Sequence, residues 1–138
     1  MTLSNAHEKA VIGATISGYF KALNDGNVDA VLELYTDDPV MLPFLQATVI
    51  GIEAVRQNYV NTFQLMRFQV ETKIEEIVEM SPEWAYVRTE TAGTFTPIRT
   101  GQDAPSNFHE LFLLRKASDG RWQIARYSFS PTSNLPDV

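Results

Sequence analysis

The chain has 138 residues, of which 44% are hydrophobic and 20% are charged, with a formal net charge of -6 and no cysteine. This length is typical of one domain with a single core, and no apolar run reaches the ~20 residues that a membrane-spanning helix needs. A negative surface repels phosphates, so nucleic acid is not an expected partner. Without cysteine the chain forms neither disulfides nor thiolate sites.

The sequence also lacks the motifs that indicate secretion, nucleotide binding or metal binding. The first residues carry neither the basic nor the apolar region of a secretory signal, so the expected location is cytoplasmic. Motifs for nucleotide binding and for a serine nucleophile do not occur. The two histidines, His7 and His109, lack the spacing of metal ligands. We therefore expect no cofactor, no metal and no association with membranes.

Two helices separated by a glycine are predicted first. One starts at Ser4 or Asn5, since Asn5 and Glu8 have capping-box spacing, and ends at Asn24-Asp-Gly26, where glycine takes the left-handed conformation. The other ends at Asp37-Asp-Pro39, because proline cannot continue a helix. Apolar residues at helical spacing mark the buried faces: Ile12, Ile16, Tyr19, Phe20 and Leu23, then Val28, Val31, Leu32 and Tyr35.

A short strand over residues 40–42 and a third helix after Gly51 come next. The buried face of this helix carries Ile52, Val55, Tyr59, Phe63 and Met66. From Phe68 the hydrophobic period changes to two, which is typical of a half-buried strand. Ile77 falls three residues after Ile74, which predicts a bulge near Glu75-Glu76 that bends this strand.

Three further strands follow a turn at residues 81–83. They cover residues 84 to about 95, 108–116 and 122–130, with a loop over residues 97–107. Helices followed by antiparallel strands indicate a segregated α+β fold. We expect three N-terminal helices packed on an antiparallel sheet of four to six strands.

The last two strands meet at Asp119-Gly120, a strong signal for a two-residue hairpin turn. Such a turn pairs Leu114 with Ala125, Phe112 with Tyr127, and Glu110 with Phe129. Paired residues share a face, so we assign this apolar face, with Glu110 in it, to an internal pocket. The opposite face is assigned to solvent or to a dimer interface; it carries His109, Leu111, Leu113, Arg115, Trp122, Ile124, Arg126 and Ser128.

The order of these motifs resembles the SnoaL-like branch of the NTF2-like superfamily. The resemblance rests on the helix–Asn24-Asp-Gly–helix–Asp37-Asp opening, on Gly51-Ile-Glu-Ala-Val, and on the closing Asp119-Gly-Arg-Trp-Gln-Ile-Ala-Arg-Tyr. It covers about residues 5–130 of a single domain, with residues 131–138 as a tail. It implies a cone in which helices cap a curved sheet around an apolar pocket, and a homodimer packed through the outer sheet face.

Glu110 is the first candidate catalytic residue. A carboxylate on an apolar wall loses hydration, so its pKa rises and it can exchange protons near neutrality. The alternative is a structural one, in which Glu110 pairs with Arg88 or Arg126, or lies at the rim of the cone.

Tyr19 is the second candidate. Its position resembles that of the tyrosine of bacterial ketosteroid isomerase, where the hydroxyl stabilises an enolate oxygen with help from a protonated acid on a late strand. By this resemblance Glu110 stands near the position of that acid, unless the alignment places Phe112 there. The alternative is a core aromatic whose hydroxyl reaches the surface or a carbonyl.

The catalytic base of that enzyme has no counterpart here. The same offset from Tyr19 falls on Pro43, between Leu42 and Phe44. Asp37 and Asp38 are expected to end the second helix at the surface. Isomerisation of ketosteroids by the known set of residues is therefore not expected of this chain.

Three residues are held in reserve as catalytic candidates. Arg88 and Glu90 share a strand face with Trp84 and Tyr86. They form either a polar floor to the pocket, as carboxylate–arginine clusters do in the epoxide-hydrolase branch, or a solvated outer face. His109 is chemically suited to act as a base, although the pairing turns it away from the pocket.

Two functions remain open from sequence. The first is a cofactor-free acid–base enzyme, an isomerase, cyclase or dehydratase, that acts on a small apolar metabolite. The second is a non-catalytic dimeric module that binds such a ligand or a protein. The residues expected to line the pocket are Phe20, Leu23, Met41, Phe44, Tyr59, Phe63, Phe112, Tyr127 and Phe129.

Overall fold

One curved six-stranded sheet wraps around a long helix. A computed structural model of the chain describes residues 2–133, and the side chains of residues 5–133; residues 134–138 of the predicted tail lie outside the described part. The helices are α1 (Thr2–Asp25), α2 (Val28–Glu33) and α3 (Ile52–Leu65). The strands are β1 (Tyr35–Leu42), β2 (Val49–Ile50), β3 (Met66–Glu79), β4 (Trp84–Pro97), β5 (Ala104–Lys116) and β6 (Trp122–Pro131).

The sheet is mixed, which corrects the prediction of an all-antiparallel sheet. Its strand order is β2-β1-β6-β5-β4-β3. Every neighbouring pair is antiparallel except β1 and β6, which run parallel. Parallel strands need a long connection, and residues 43–121 lie between these two. The α+β class is confirmed; two strands, β1 and β2, separate α2 from α3, where the sequence predicted one short strand over residues 40–42.

The end of the second helix was predicted too late. α2 stops at Glu33 and β1 starts at Tyr35, so Asp37 and Asp38 lie in a strand. Pro39 is accommodated because the pairing of β1 with β6 is irregular between Tyr35 and Val40, and proline is tolerated where a ladder is interrupted. The prediction was wrong because Tyr35 continues the helical spacing of the apolar residues in α2, although it is already the first residue of β1.

The capping box predicted at Asn5 is also wrong, because α1 already begins at Thr2. The carboxylate of Glu8 accepts hydrogen bonds from Lys116 Nζ at 2.7 Å and from Trp122 Nε1 at 2.5 Å instead. These bonds tie α1 to β5 and β6. The end of α1 is as predicted, since Gly26 has φ 64° and its amide donates to the carbonyl of Leu23.

Two bulges determine which side chains point into the cone. The predicted bulge in β3 is confirmed: Ile74 pairs with Thr89 and Glu76 with Arg88, which leaves Glu75 unpaired. The second was not predicted. The β5–β6 connection has no two-residue turn, because Lys116 pairs with Trp122.

The extra residue at Ala125 restores the pairing of β5 with β6. Phe112 pairs with Tyr127 and Glu110 with Phe129 as predicted, whereas Leu114 pairs with Ile124. Trp122 and Ile124 are therefore buried in the core, not on the outer face. β5 also starts at Ala104, so the loop before it is shorter than predicted.

The core fills the space between the helices and the concave face of the sheet. Ile12 and Ile16 of α1 lie against Val87 of β4, Leu114 of β5 and the other members of one buried cluster. In the described part of the chain, no helix is long and apolar enough to cross a membrane.

We predict that Gly93→Ala destabilises the protein by roughly 3 kcal/mol, at the upper end of single substitutions. Gly93 has φ 154°, and a Cβ there would lie 2.3 Å from the carbonyl oxygen of Gln69 on β3. Gly13→Ala is the matched control, because its Cβ meets only ordinary contacts at 3.7 Å and alanine favours a helix by up to ~1 kcal/mol. Urea unfolding measures both; equal stability of the two variants would contradict the close approach of β3 and β4.

Candidate active site

A cavity of about 330 Å³ lies between the helices and the concave face of the sheet. This volume is at the lower end of ligand pockets. The lining residues are Tyr19, Phe20 and Leu23 from α1; Met41, Pro43, Phe44 and Gln46 from β1 and the loop after it; Asn58, Tyr59 and Thr62 from α3; Met66, Phe68 and Val70 from β3; Thr91 and Phe95 from β4; Ser106, Phe108 and Glu110 from β5; and Tyr127 and Phe129 from β6.

Seven of the nine predicted pocket residues line this cavity, and two do not. Phe63 packs between Tyr59 and Phe68, with ring centroids 5.9 and 6.4 Å away. Phe112 is fully buried and stacks on Tyr127 at 4.3 Å with an interplanar angle of 12°. Both rings form the layer behind the cavity wall, where they hold the lining rings in place.

The carboxyl group of Glu110 is buried, with 5% of the residue exposed. Thr89 and Thr91 both donate their hydroxyls to its Oε1 atom, at 2.6 and 2.9 Å. Burial raises the pKa of Glu110, and these two hydrogen bonds oppose that rise without cancelling it. The group therefore holds its proton to a higher pH than an exposed glutamate does.

The two arginines weighed as partners of Glu110 are engaged elsewhere. Arg88 pairs with Glu76 at 3.1 Å on the outer face, and Arg126 donates to the carbonyl of Asp38. Among the described residues, Oε2 of Glu110 accepts no hydrogen bond, and Glu110 belongs to the cavity lining. This oxygen is available to a ligand.

Three tyrosine hydroxyls form a chain beside the cavity. The Tyr59 hydroxyl lies 2.6 Å from that of Tyr19 and 2.7 Å from that of Tyr35. Burial raises the pKa of all three, so they remain neutral at physiological pH. The negative charge of Glu110 is a smaller cause of the rise at Tyr19.

Counting protons shows what this chain of hydroxyls can donate. Three hydroxyls carry three protons, and the two bonds between them use two. One proton is left for a partner outside the chain. If Tyr35 donates to Tyr59 and Tyr59 to Tyr19, the remaining proton is that of Tyr19, and a ligand in the cavity competes for it with the hydroxyl of Tyr127. Hydrogen bonds in such a series strengthen one another.

The reserve candidates lie on the outer face. His109 is within 3.0 Å of the Ser130 hydroxyl in an exposed position, Arg88 pairs with Glu76, and Glu90 is exposed. Asp38 pairs with Arg115 at 3.0 Å, also away from the cavity. Pro43, at the offset where ketosteroid isomerase has its base, does line the cavity.

Sequence reasoning missed Thr89 and Thr91. They alternate with the charged Arg88 and Glu90 along β4, and Thr89 pairs with Glu110 across the sheet. That alternation was the available signal, since small hydroxyl residues between charged ones indicate a polar spot on the inner face. Among the described residues, no three His, Asp or Glu side chains are grouped as metal ligands.

A helix-capped, curved sheet around a pocket defines a protein of the NTF2-like class. The family model described as a SnoaL-like domain matches residues 16–125. The chain therefore belongs to the SnoaL-like family, as its motifs predicted. Among functionally curated proteins, none matches this chain significantly.

Solved structures of other proteins share the fold over most of the chain. A ketosteroid isomerase-like protein from Erwinia carotovora atroseptica SCRI1043 is 38% identical over 91% of this chain and 96% of that one, with a TM-score of 0.87. A provisional scytalone dehydratase from Novosphingobium aromaticivorans DSM 12444 is 18% identical over 100% and 93%, with a TM-score of 0.89. An NTF2-like superfamily protein from Salmonella enterica serovar Typhimurium LT2 is 15% identical over 94% of each chain, with a TM-score of 0.82. The last two similarities show the fold alone.

We predict that Thr89→Val raises the pKa of Glu110 further. The hydroxyl of Thr89 stabilises the charged carboxylate, and valine has the same shape without the donor. Thr89→Ser keeps the hydroxyl and is the matched control. Carbon-13 NMR of labelled glutamate across a pH titration measures the change. A pKa of Glu110 that is the same in wild type and in Thr89→Val would contradict the role of this hydrogen bond.

Proposed function

We propose that this protein binds a small, largely apolar molecule and catalyses cofactor-free acid–base chemistry on it. One observation carries the proposal: Tyr19 and Glu110 line the same cavity, and in the described part of the chain only Oε1 of Glu110 accepts hydrogen bonds. A titratable group whose pKa is shifted by burial, next to a neutral donor, is the combination that proton transfer needs. The reaction belongs to the isomerase, cyclase or dehydratase type.

The roles of the two groups follow from their protonation states. In its ionised form, Glu110 takes a proton from a carbon next to a carbonyl group of the ligand. Tyr19 donates a hydrogen bond to the oxygen on which the negative charge develops. Glu110, now protonated, returns the proton to the same or to a neighbouring carbon. Proton and charge balance without a further reactant.

The proposal makes Glu110 the base, because Pro43 holds the position where ketosteroid isomerase has its aspartate. The solved relative that is 38% identical is named as ketosteroid isomerase-like, and the more distant ones include a provisional scytalone dehydratase. The first name supports acid–base chemistry as the type of reaction, whereas the second protein shares the fold alone. Neither name identifies the substrate of this chain.

The alternative is a dimeric module that binds a ligand without reaction, and the outer sheet face favours a dimer in either case. Leu111 is 45% exposed there, beside the half-buried Tyr86 and Leu113. Around Leu111 the face also carries Arg88 and Ser128, and such a mixture of exposed apolar and polar side chains is typical of a subunit interface. We propose that two copies pack through it.

The expected mass in light scattering at micromolar concentration is that of two chains. Leu111→Glu should give monomers, because it places a charge in the apolar interface. Leu45→Glu is the matched control, since Leu45 is 86% exposed in the loop after β1 and is expected to leave the dimer intact. A monomeric wild type would contradict the dimer.

The chemistry is testable without knowing the substrate. Tetralone, a two-ring ketone, exchanges the hydrogens next to its carbonyl group with heavy water, and NMR follows the loss of signal. We expect the protein to accelerate this exchange. The acceleration should rise with pH through the raised pKa of Glu110, because only the carboxylate is a base.

Variants separate the two roles. A positioned base accelerates a reaction at least ~100-fold, so Glu110→Gln should lower the rate of exchange by about that factor. Loss of an oxyanion donor costs about 100-fold in rate, and we expect this loss for Tyr19→Phe. Glu83→Gln, in the exposed turn after β3, and Tyr86→Phe, on the outer face, make the same chemical changes away from the cavity. Bound tetralone without accelerated exchange would refute the enzyme and favour the non-catalytic module.

A further inference from the structure

The cavity has an unbalanced charge. Among its lining residues in the described part of the chain, Glu110 is the sole charged side chain, and there is no lysine, arginine or histidine. A ligand carboxylate or phosphate would find no counter-ion and would face the charge of Glu110. Burying a charge without a partner is strongly unfavourable, so the cavity disfavours anions.

Aromatic side chains are the neighbours of Glu110 on the inner face of the sheet. Phe129 is its cross-strand partner on β6, and Phe108 precedes it by two residues, on the same face of β5. The rings of Phe108 and Phe129 lie 5.9 Å apart at 57°, and Tyr127 lies 5.1 Å from Phe129. Thr89 and Thr91 donate their hydroxyls to Oε1 only. The phenylalanines in the whole lining are Phe20, Phe44, Phe68, Phe95, Phe108 and Phe129.

A buried carboxylate with aromatic side chains at neighbouring positions of one cavity supplies the two kinds of group that recognise an organic cation. Ring faces carry negative potential and attract an ammonium group within about 6 Å of the centroid. The attraction increases when both groups are removed from water. The cation would also give Oε2 of Glu110 the charged partner that the protein does not supply.

We propose that the cavity binds small lipophilic amines in their protonated form, with the ammonium group donating to Oε2 of Glu110 and lying against the rings of Phe108 and Phe129. This inference rests on the proposed function in that it uses the same cavity and the same carboxyl. It adds a ligand class whose binding needs no catalysis. An amine held there occupies the proposed base and is expected to inhibit the exchange of tetralone.

The pH dependence has a definite sign. An ammonium ion needs the ionised carboxylate, and burial raises the pKa of Glu110, with Glu90 of β4 as a minor contributor. α1 and α3 contribute only uncharged side chains to the lining, and the buried hydroxyls of Tyr19 and Tyr127 stay neutral. Amine affinity should therefore increase as the pH rises through the pKa of Glu110. A neutral ligand that accepts a hydrogen bond from protonated Glu110 would show the opposite slope.

Three probes of one shape test the inference: naphthylmethylamine, naphthylmethanol and naphthoic acid, which are a cation, a neutral molecule and an anion near neutral pH. Isothermal titration calorimetry measures each affinity. We expect the amine to bind at least ~10-fold more tightly than the alcohol, as one charge-assisted hydrogen bond allows. The acid should show no measurable binding.

The variant Glu110→Gln should abolish the preference for the amine and change the affinity for the alcohol little. Glu83→Gln removes the same charge from an exposed turn and should keep the preference. Thermal unfolding checks that both variants fold. If Glu110→Gln does not fold, the pH dependence of binding to the wild type tests the inference instead. The affinity for the amine should then increase with pH, and the affinity for the alcohol should not.

The outcomes separate this inference from the proposed function. Alcohol binding equal to or tighter than amine binding, with tetralone exchange still accelerated, overturns the amine site and leaves the proposed enzyme standing. A preference for the amine without accelerated exchange supports the amine site and refutes the enzyme. Absence of binding by both the amine and the alcohol overturns the inference, and with it the proposed ligand pocket.

Discussion

Burial of the Glu110 carboxyl in a cavity walled by rings costs free energy that the remainder of the fold has to offset. Thr89 and Thr91 recover part of it through two hydrogen bonds to one oxygen. The packing around the carboxyl supplies the rest, since Phe112 stacks from behind on Tyr127 of the cavity wall. No cation of the described residues neutralises the group, so this acid holds its proton to a higher pH than an exposed glutamate does.

Strand register makes this arrangement possible. Side chains alternate between the two faces of a strand, so a shift of one residue would move Glu110 to the outer surface. The bulge at Glu75 bends β3 around α1, and the bulge at Ala125 corrects the register after a longer connection. Both therefore determine which residues reach the cavity. The hydrogen bonds from Lys116 of β5 and Trp122 of β6 to Glu8 hold α1 against these two strands.

The sequence predicted the local periodicities well and the long-range pairings only in part. The β3 bulge could be found because Ile74 and Ile77 break an alternation within one strand. The β5–β6 pairing at Glu110 was predicted correctly from an assumed short turn, although the turn is longer, because a bulge compensates for the difference. The parallel pairing of β1 with β6 could not be predicted, since it joins residues 35–42 to residues 122–131, which are far apart in the sequence. Local patterns carry no information on such a contact.

The same distinction applies to the site. Tyr19 and Glu110 could be identified from sequence as polar residues on apolar faces, because local periodicity and the pairing of neighbouring strands define those faces. The hydroxyl chain through Tyr59 and Tyr35 requires α1, α3 and β1 to meet, and neither periodicity nor composition shows that meeting. In the same way, the threonines that hold Glu110 come from a neighbouring strand.

The protonation state of one carboxyl links the proposed chemistry to the choice of ligand. When Glu110 is protonated, the cavity is neutral and suits an uncharged molecule that accepts a hydrogen bond. When it is ionised, the same oxygen is either a base towards a carbon acid or the counter-ion of an ammonium group. These two uses exclude one another on a single molecule, because a carboxylate paired with a cation is a weaker base. A lipophilic amine and a reacting ketone therefore compete for one atom, and pH determines which of them the cavity favours.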